Sequence, residues 1–128
     1  MIVDSSAILA VLYREQDAAR YEKATASAAH PRISVANLLE TSIVLEGRGG
    51  EAAGHELDLF LRDAEIELAP VTVEHLEAAR RAWRRFGKGN HPASLNFGDC
   101  FAYALAELVD EPLLFKGGDF AQTDIEAA

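Results

Sequence analysis

Most of the 21 acidic residues of this chain sit among charged or polar neighbours, where a solvated surface explains them. Four do not: Asp4 in MIVDSSAIL, Glu40 in ANLLETSIVL, Asp99 in LNFGDCFAYAL and Asp119 in LLFKGGDF. Burying a carboxylate without a compensating partner is costly, so each of the four needs an explanation. Three have ordinary ones. Asp4 can cap the helix that follows it, Asn96 and Asp99 have the spacing of a variant capping box, and Asp119 follows two glycines as a turn residue. Glu40 lies mid-helix, where its plain alternative is a narrow solvent-facing side shared with Asn37 and Thr41.

As a set they suggest more. Four carboxylates brought together raise one another's pKa unless a cation neutralises them. A cluster with oxygen ligands only suits a hard ion, Mg²⁺ or Mn²⁺. One or two such ions can activate water and stabilise the charge developing on a phosphodiester. Ser6 and Asn96 can add neutral oxygen or amide contacts.

Other chemistries find little support. The single cysteine, Cys100, excludes an intramolecular disulfide and fits a reducing cytoplasm. Among Phe101, Ala102 and Ala104 it reads as a small core residue rather than a nucleophile. One Cys and four scattered His show no zinc spacing. The glycines of GRGGEAAG follow no strand and precede no Gly-Lys-Ser/Thr, which argues against a phosphate-binding loop. No apolar run is long enough for a membrane span, and the start of the chain lacks the features of a signal peptide.

The net charge of −9 is unevenly distributed. Arg80, Arg81, Arg84, Arg85 and Lys88 form a basic stretch without an acid between Ala78 and Gly98. Read on a helix they form one stripe, suited to guiding nucleic-acid phosphates toward an acidic site or to docking an acidic protein segment, with a solvated face as the plain alternative. Trp83 and Phe86 interleave with these arginines. They can stack on bases, although their spacing favours packing against the core. His91, in the loop that follows, can touch phosphate or assist protonation, with an ordinary exposed loop histidine as the plain alternative.

The elements that must position these residues alternate. Met1–Asp4 reads as a strand with Asp4 at its carboxyl end, followed by a helix from Ser5. A weaker helix over 17–29 stops at His30-Pro31, and Arg32–Val35 is a short strand leading into the helix of Glu40. Gly47–Gly54 is a loop or helix junction, 55–64 a helix and 65–71 a strand. Thr72 caps a helix that ends at Gly87. The helix of Asp99 spans 95–108, Leu113–Phe115 is a buried strand, and a short edge strand is expected at 123–125. With 128 residues, 49% of them hydrophobic, this is one α/β domain over 1–128 with a mostly parallel central sheet flanked by helices. Ligands of such sheets bind beyond the carboxyl ends of the strands, where Asp4 and Asp119 both fall.

The blocks IVDSSAILA, LLETSIVLE, LNFGDCFAYALA and PLLFKGGDFAQTDI, in that order and at this length, resemble the PIN-domain ribonucleases, most closely the VapC-type toxins of toxin–antitoxin systems. The resemblance implies a PIN-like fold and a Mg²⁺-dependent endoribonuclease, with Mn²⁺ as a possible substitute. It implies that the family's acidic quartet falls on Asp4, Glu40, Asp99 and Asp119 as metal ligands and catalytic residues. Asp4 and Asp99 would be the principal ligands, Ser6 and Asn96 supporting residues, and Asp124 an outer-shell residue. It further implies a cytoplasmic protein, a VapB-type antitoxin and a homodimer. A receiver-type phosphoacceptor switch fits the length and the α/β pattern, but the mid-chain Asp58 and Asp63 lie in a helical pattern rather than at a strand end. A haloacid-dehalogenase-like phosphatase would have a second Asp where Ser6 stands.

Overall fold

The computed structural model describes residues 1–128. In chain order the elements are β1 (Ile2–Val3), α1 (Ser5–Leu12), α2 (Ala18–Ser27), β2 (Arg32–Ser34), α3 (Val35–Asp63), β3 (Glu67–Ala69), α4 (Val73–Phe86), α5 (Phe97–Val109) and β4 (Leu113–Leu114). A single 3₁₀ turn, Phe120–Gln122, follows. The four strands form one sheet in the order β3-β2-β1-β4, and every pairing is parallel. The parallel α/β expectation holds.

The central strands β1 and β4 are wholly buried, as parallel strands covered by helices must be, whereas the edge strand β3 leaves Glu67 and Leu68 exposed. Ile2 and Leu113 point into a core built with Ala78, Ala82 and Phe86 of α4 and Tyr103 and Leu105 of α5. Their neighbours Val3 and Leu114 point the other way, into a core with Ile8 of α1, Tyr21 of α2 and Leu45 and Leu57 of α3. The alternation of side chains along a strand thus divides the interior into two halves.

Several local expectations are met. Thr72 caps α4 through a bond from the His75 amide, and Gly87 ends it. The glycine-rich stretch is a helix junction: α3 runs through it but breaks at Gly50, whose φ of 66° and ψ of −162° leave the helical region. Only glycine takes that conformation without strain. The edge strand expected at 123–125 is displaced. Residues 120–122 form the 3₁₀ turn, and the tail reaches the sheet two residues later, through a parallel bridge between Ala127 and Leu113.

Sheet order decides where a ligand can bind. The chain moves outward from β1 to β2 and β3 on one side, then returns to place β4 on the other. Strand order therefore reverses between β1 and β4, and the crevice lies at their carboxyl ends. Asp4 follows β1, and Lys116–Asp119 follows β4.

Candidate active site

Asp4 begins the site because β1 ends beneath it. Its carboxylate caps α1, accepting hydrogen bonds from the Ser6 amide at 3.0 Å and the Ser6 hydroxyl at 2.5 Å. Ser6 Oγ in turn accepts the backbone N–H of Lys116 at 2.9 Å, which ties the ends of β1 and β4 together through one hydroxyl. Burial pushes the Asp4 carboxyl above its ordinary range, the Ser6 bonds pull it down, and the Glu40 charge pushes it up again.

Glu40 faces inward. Its Oε1 accepts the Ser5 hydroxyl at 2.7 Å, so consecutive serines of α1 hold two different carboxylates. Asn37, one turn earlier, donates its amide to the Gly98 carbonyl at 2.9 Å and joins α3 to the first turn of α5. The Glu40 carboxylate lies against Gly98 so closely that a Cβ there would stand 2.1 Å from Oε2. This overturns the solvent-facing alternative for Glu40. Asn37 and Thr41 are fully buried, and the outward side of the helix carries Leu39 and Ile43, 62% and 63% exposed. The polar side of α3 is the one that meets the site.

Asp99 is the third residue of α5. It accepts the Asn96 amide at 2.9 Å while Asn96 accepts the Asp99 amide at 2.9 Å, a complete capping box. Its carboxyl is pushed up to about 7, first by burial and then by the charges of Asp4, Asp119 and Glu40, with the Asn96 bond opposing. Asp4, Glu40 and Asp119, carried on three other segments, therefore lie near enough for their charges to act on Asp99. Asp119 is the exposed member and makes no capping hydrogen bond.

No basic side chain bonds to any of the four. Lys116, the nearest in sequence, turns its ammonium to Asp17 at 2.7 Å and to Glu15. No three of the acids are gathered at metal-ligating geometry, and Asp4, Glu40 and Asp99 each accept a donor from the protein. The donor set itself suits a hard divalent cation: it is carboxylate oxygen throughout, and mutual repulsion raises its affinity for positive charge.

Other sequence-marked residues fall differently. Asp124 is not among the charges that act on Asp99, and its oxygens accept the Tyr103 hydroxyl at 2.6 Å and the Arg85 guanidinium at 2.7 Å. Its carboxylate links the tail to α4 and α5. The basic stripe divides into two rows. Arg80, Arg84 and Lys88 line a groove between α4 and α5, whereas Arg85 turns to Asp124 and lies over the Phe86 ring. Arg81 is exposed and lines no part of that groove. Phe86 is buried as its spacing suggests, but Trp83 is half exposed. His91 Nδ1 accepts the Ala93 amide at 3.0 Å, and its ring packs edge-on against Phe86. Cys100 is buried, and burial pushes its thiol up to about 11, which leaves it unreactive at neutral pH.

Ser5 and Gly98 carry no mark in the sequence, and Asn37 reads there only as a solvent-facing neighbour of Glu40. Ser5 shared the DSS turn with Ser6 and offered a signal. Asn37 and Gly98 matter only through contacts between α3 and α5, which no local pattern announces.

A family model described as PIN domain matches residues 1–126. Ribonuclease VapC30 of Mycobacterium tuberculosis is 51% identical over 126 residues, covering 98% of this chain and 95% of the relative. Ribonuclease VapC of Mycolicibacterium smegmatis is 50% identical over 127 residues, covering 99% and 98%. Among solved structures, the M. tuberculosis VapC20 toxin, described as cleaving the sarcin-ricin loop, superposes with a TM-score of 0.81. That match covers 99% of this chain and 97% of VapC20 at 18% identity, and so speaks to the fold alone.

Proposed function

The chain belongs to the PIN-domain family and, within it, to the VapC ribonucleases, and we propose that it is the toxin of a toxin–antitoxin pair, an endoribonuclease that cuts RNA at the Asp4–Glu40–Asp99–Asp119 cluster with a divalent cation. The observation that carries this reading is the convergence of four acid-bearing segments on the crevice between β1 and β4, near enough for the charges of Asp4, Asp119 and Glu40 to act on Asp99, with no basic side chain bonded to any of the four.

Asp4 and Asp99 would be the principal ligands of Mg²⁺, with Glu40 and Asp119 completing the set and Mn²⁺ a workable substitute. When bound, such an ion supplies Lewis-acid stabilisation of charge on the phosphodiester and lowers the pKa of water. The protein's own residues supply position. Ser6 fixes Asp4, Ser5 fixes Glu40, and the Asn96 cap fixes Asp99 in the first turn of α5. Asp119, beyond Gly117 and Gly118 and without a capping bond, is the member free to adjust as substrate enters. Arg80, Arg84 and Lys88 offset the repulsion that an acidic site exerts on RNA.

No helix is long and apolar enough to cross a membrane; a cytoplasmic location belongs to the toxin reading, and a lone free cysteine agrees with it. A VapB-type antitoxin and a second copy of the chain are its expected protein partners. Val35, Leu39 and Ile43 leave an apolar stripe on α3 of the kind such contacts cover. The test is cleavage of RNA by the purified protein. Activity that needs Mg²⁺ or Mn²⁺ and is lost in Asp4→Asn and Asp99→Asn supports the reading, and equal activity in either variant refutes it.

A further inference from the structure

Between α4 and α5 lies an open groove of about 630 Å³ that the acid cluster does not use. Two aromatic side chains stand at it unburied: Phe97, 81% exposed, and Trp83, 50% exposed. Both are held in place. Phe97 rests edge-on against Phe101, with ring centroids 5.0 Å apart. The Trp83 indole lies so close to Gly87 that a Cβ there would meet its Cδ1 at 2.5 Å. The Trp83 carbonyl is also bonded by the Gly87 amide at 2.8 Å and the Asn90 side chain at 3.1 Å. Exposed, preset aromatic rings beside a groove mark a contact site.

The polar lining narrows what that is. Arg80, Arg84 and Lys88 lie one turn apart along the groove, and no acid lines it, although the chain as a whole carries −9. Arg84 and Lys88 have no acidic partner, and Arg80 has only a loose 3.6 Å contact with Glu77. Asn96 joins the groove to the active site, for it lines the one and caps Asp99 in the other. Aromatic faces alternating with unneutralised cations, beside a phosphodiester-cleaving cluster, match the chemistry of a nucleic-acid strand: bases for the rings and phosphates for the cations.

We propose that Trp83 and Phe97 form a base-stacking subsite for RNA next to the acid cluster, with Arg80, Arg84 and Lys88 pairing the phosphates of the stacked nucleotides. The subsite rests on the ribonuclease reading, but its test needs neither a metal nor cleavage. Trp83 is the only tryptophan of the chain, so its emission reports directly on the groove.

A short single-stranded oligoribonucleotide is titrated into the protein in EDTA at low salt, following Trp83 fluorescence and, with a labelled oligonucleotide, anisotropy. Saturable quenching is expected, with the same midpoint by both signals. An abasic strand of equal charge should bind more weakly and leave the emission unchanged. Phe97→Ala, a change at an exposed position, should weaken binding by about tenfold. Three results would overturn the subsite: anisotropy that rises without a change in emission, binding that Phe97→Ala leaves intact, or the absence of binding by wild type. A Phe97→Ala variant with unchanged RNA affinity but an altered sedimenting mass would assign the face to a protein contact instead. Loss of cleavage in Asp99→Asn tests the acid cluster separately, so failure of one reading does not conceal failure of the other.

Discussion

Replacing Gly98 by alanine tests how finely Glu40 is placed. Gly98 is the second residue of α5, immediately before Asp99. A methyl group there would stand 2.1 Å from Glu40 Oε2, 2.6 Å from Cδ and 2.7 Å from Oε1, whereas ordinary contact begins at 3.4 Å. The carboxylate must therefore retreat by more than an ångström. The atoms that yield are the end of a flexible side chain, so the fold should barely register the change. Alanine also favours a helix over glycine by up to about 1 kcal/mol, which would offset the loss of the 2.7 Å bond from Ser5. Misplacing a reacting or ligating group by about 1 Å can cost on the order of 100-fold in rate. Gly98→Ala should thus keep or slightly raise the urea midpoint while losing about two orders of magnitude in RNA cleavage. The assay pairs denaturation with initial rates on a labelled RNA. Wild-type activity in Gly98→Ala would show that Glu40 need not lie against α5, and the assembly described for the site would be wrong.

Other consequences concern charge. The Asp99 carboxyl, ordinarily near 3.8, is held at about 7, so between those values the folded protein binds more protons than the unfolded chain. Stability of the metal-free protein should then fall as pH rises from about 4 to about 7 and stay lower above that. Asp99→Asn should recover about 1–2 kcal/mol at about pH 8, allowing for solvent screening of a half-buried group, and nothing near pH 4, as read by urea midpoints. Mg²⁺ at about 100 times its Kd should stabilise wild type by about 2.7 kcal/mol and Asp4→Asn far less; equal midpoint shifts by thermal melting would remove Asp4 from the ligands. Tyr103→Phe deletes the 2.6 Å bond to Asp124 and should cost about 1 kcal/mol with cleavage changed by less than about twofold. A large loss of activity in that variant would return Asp124 to the catalytic site.

Much of this site was legible in the chain because its acids interrupt apolar runs. Asp4, Asp99 and Asp119 each follow a strand or open a helix, and periodicity locates those boundaries from local residues alone. The capping box of Asn96 and Asp99 was readable for the same reason. Glu40 was harder. Its helix reads as amphipathic with a polar solvent side, but α3 packs that polar side inward against α5 and leaves Leu39 and Ile43 outside. Which face of a helix is buried depends on what a distant segment offers, here the Gly98 carbonyl and the bare Cα beneath Glu40. The basic stretch shows the same limit. Spacing placed five cations on one stripe, but the tail, docked through Asp124, draws Arg85 to a different side from Arg80, Arg84 and Lys88.

The most direct test of the central claim is a metal titration of RNA cleavage. Purified wild type, Asp4→Asn and Asp99→Asn, each shown to be folded, are incubated with labelled RNA in EDTA and then across a range of Mg²⁺ concentrations. A carboxylate site that works through a divalent cation requires no cutting in EDTA, a saturable rise with Mg²⁺ in wild type, and no rise in either variant. Cleavage that persists in EDTA, or that Asp99→Asn performs at the wild-type rate, would contradict it.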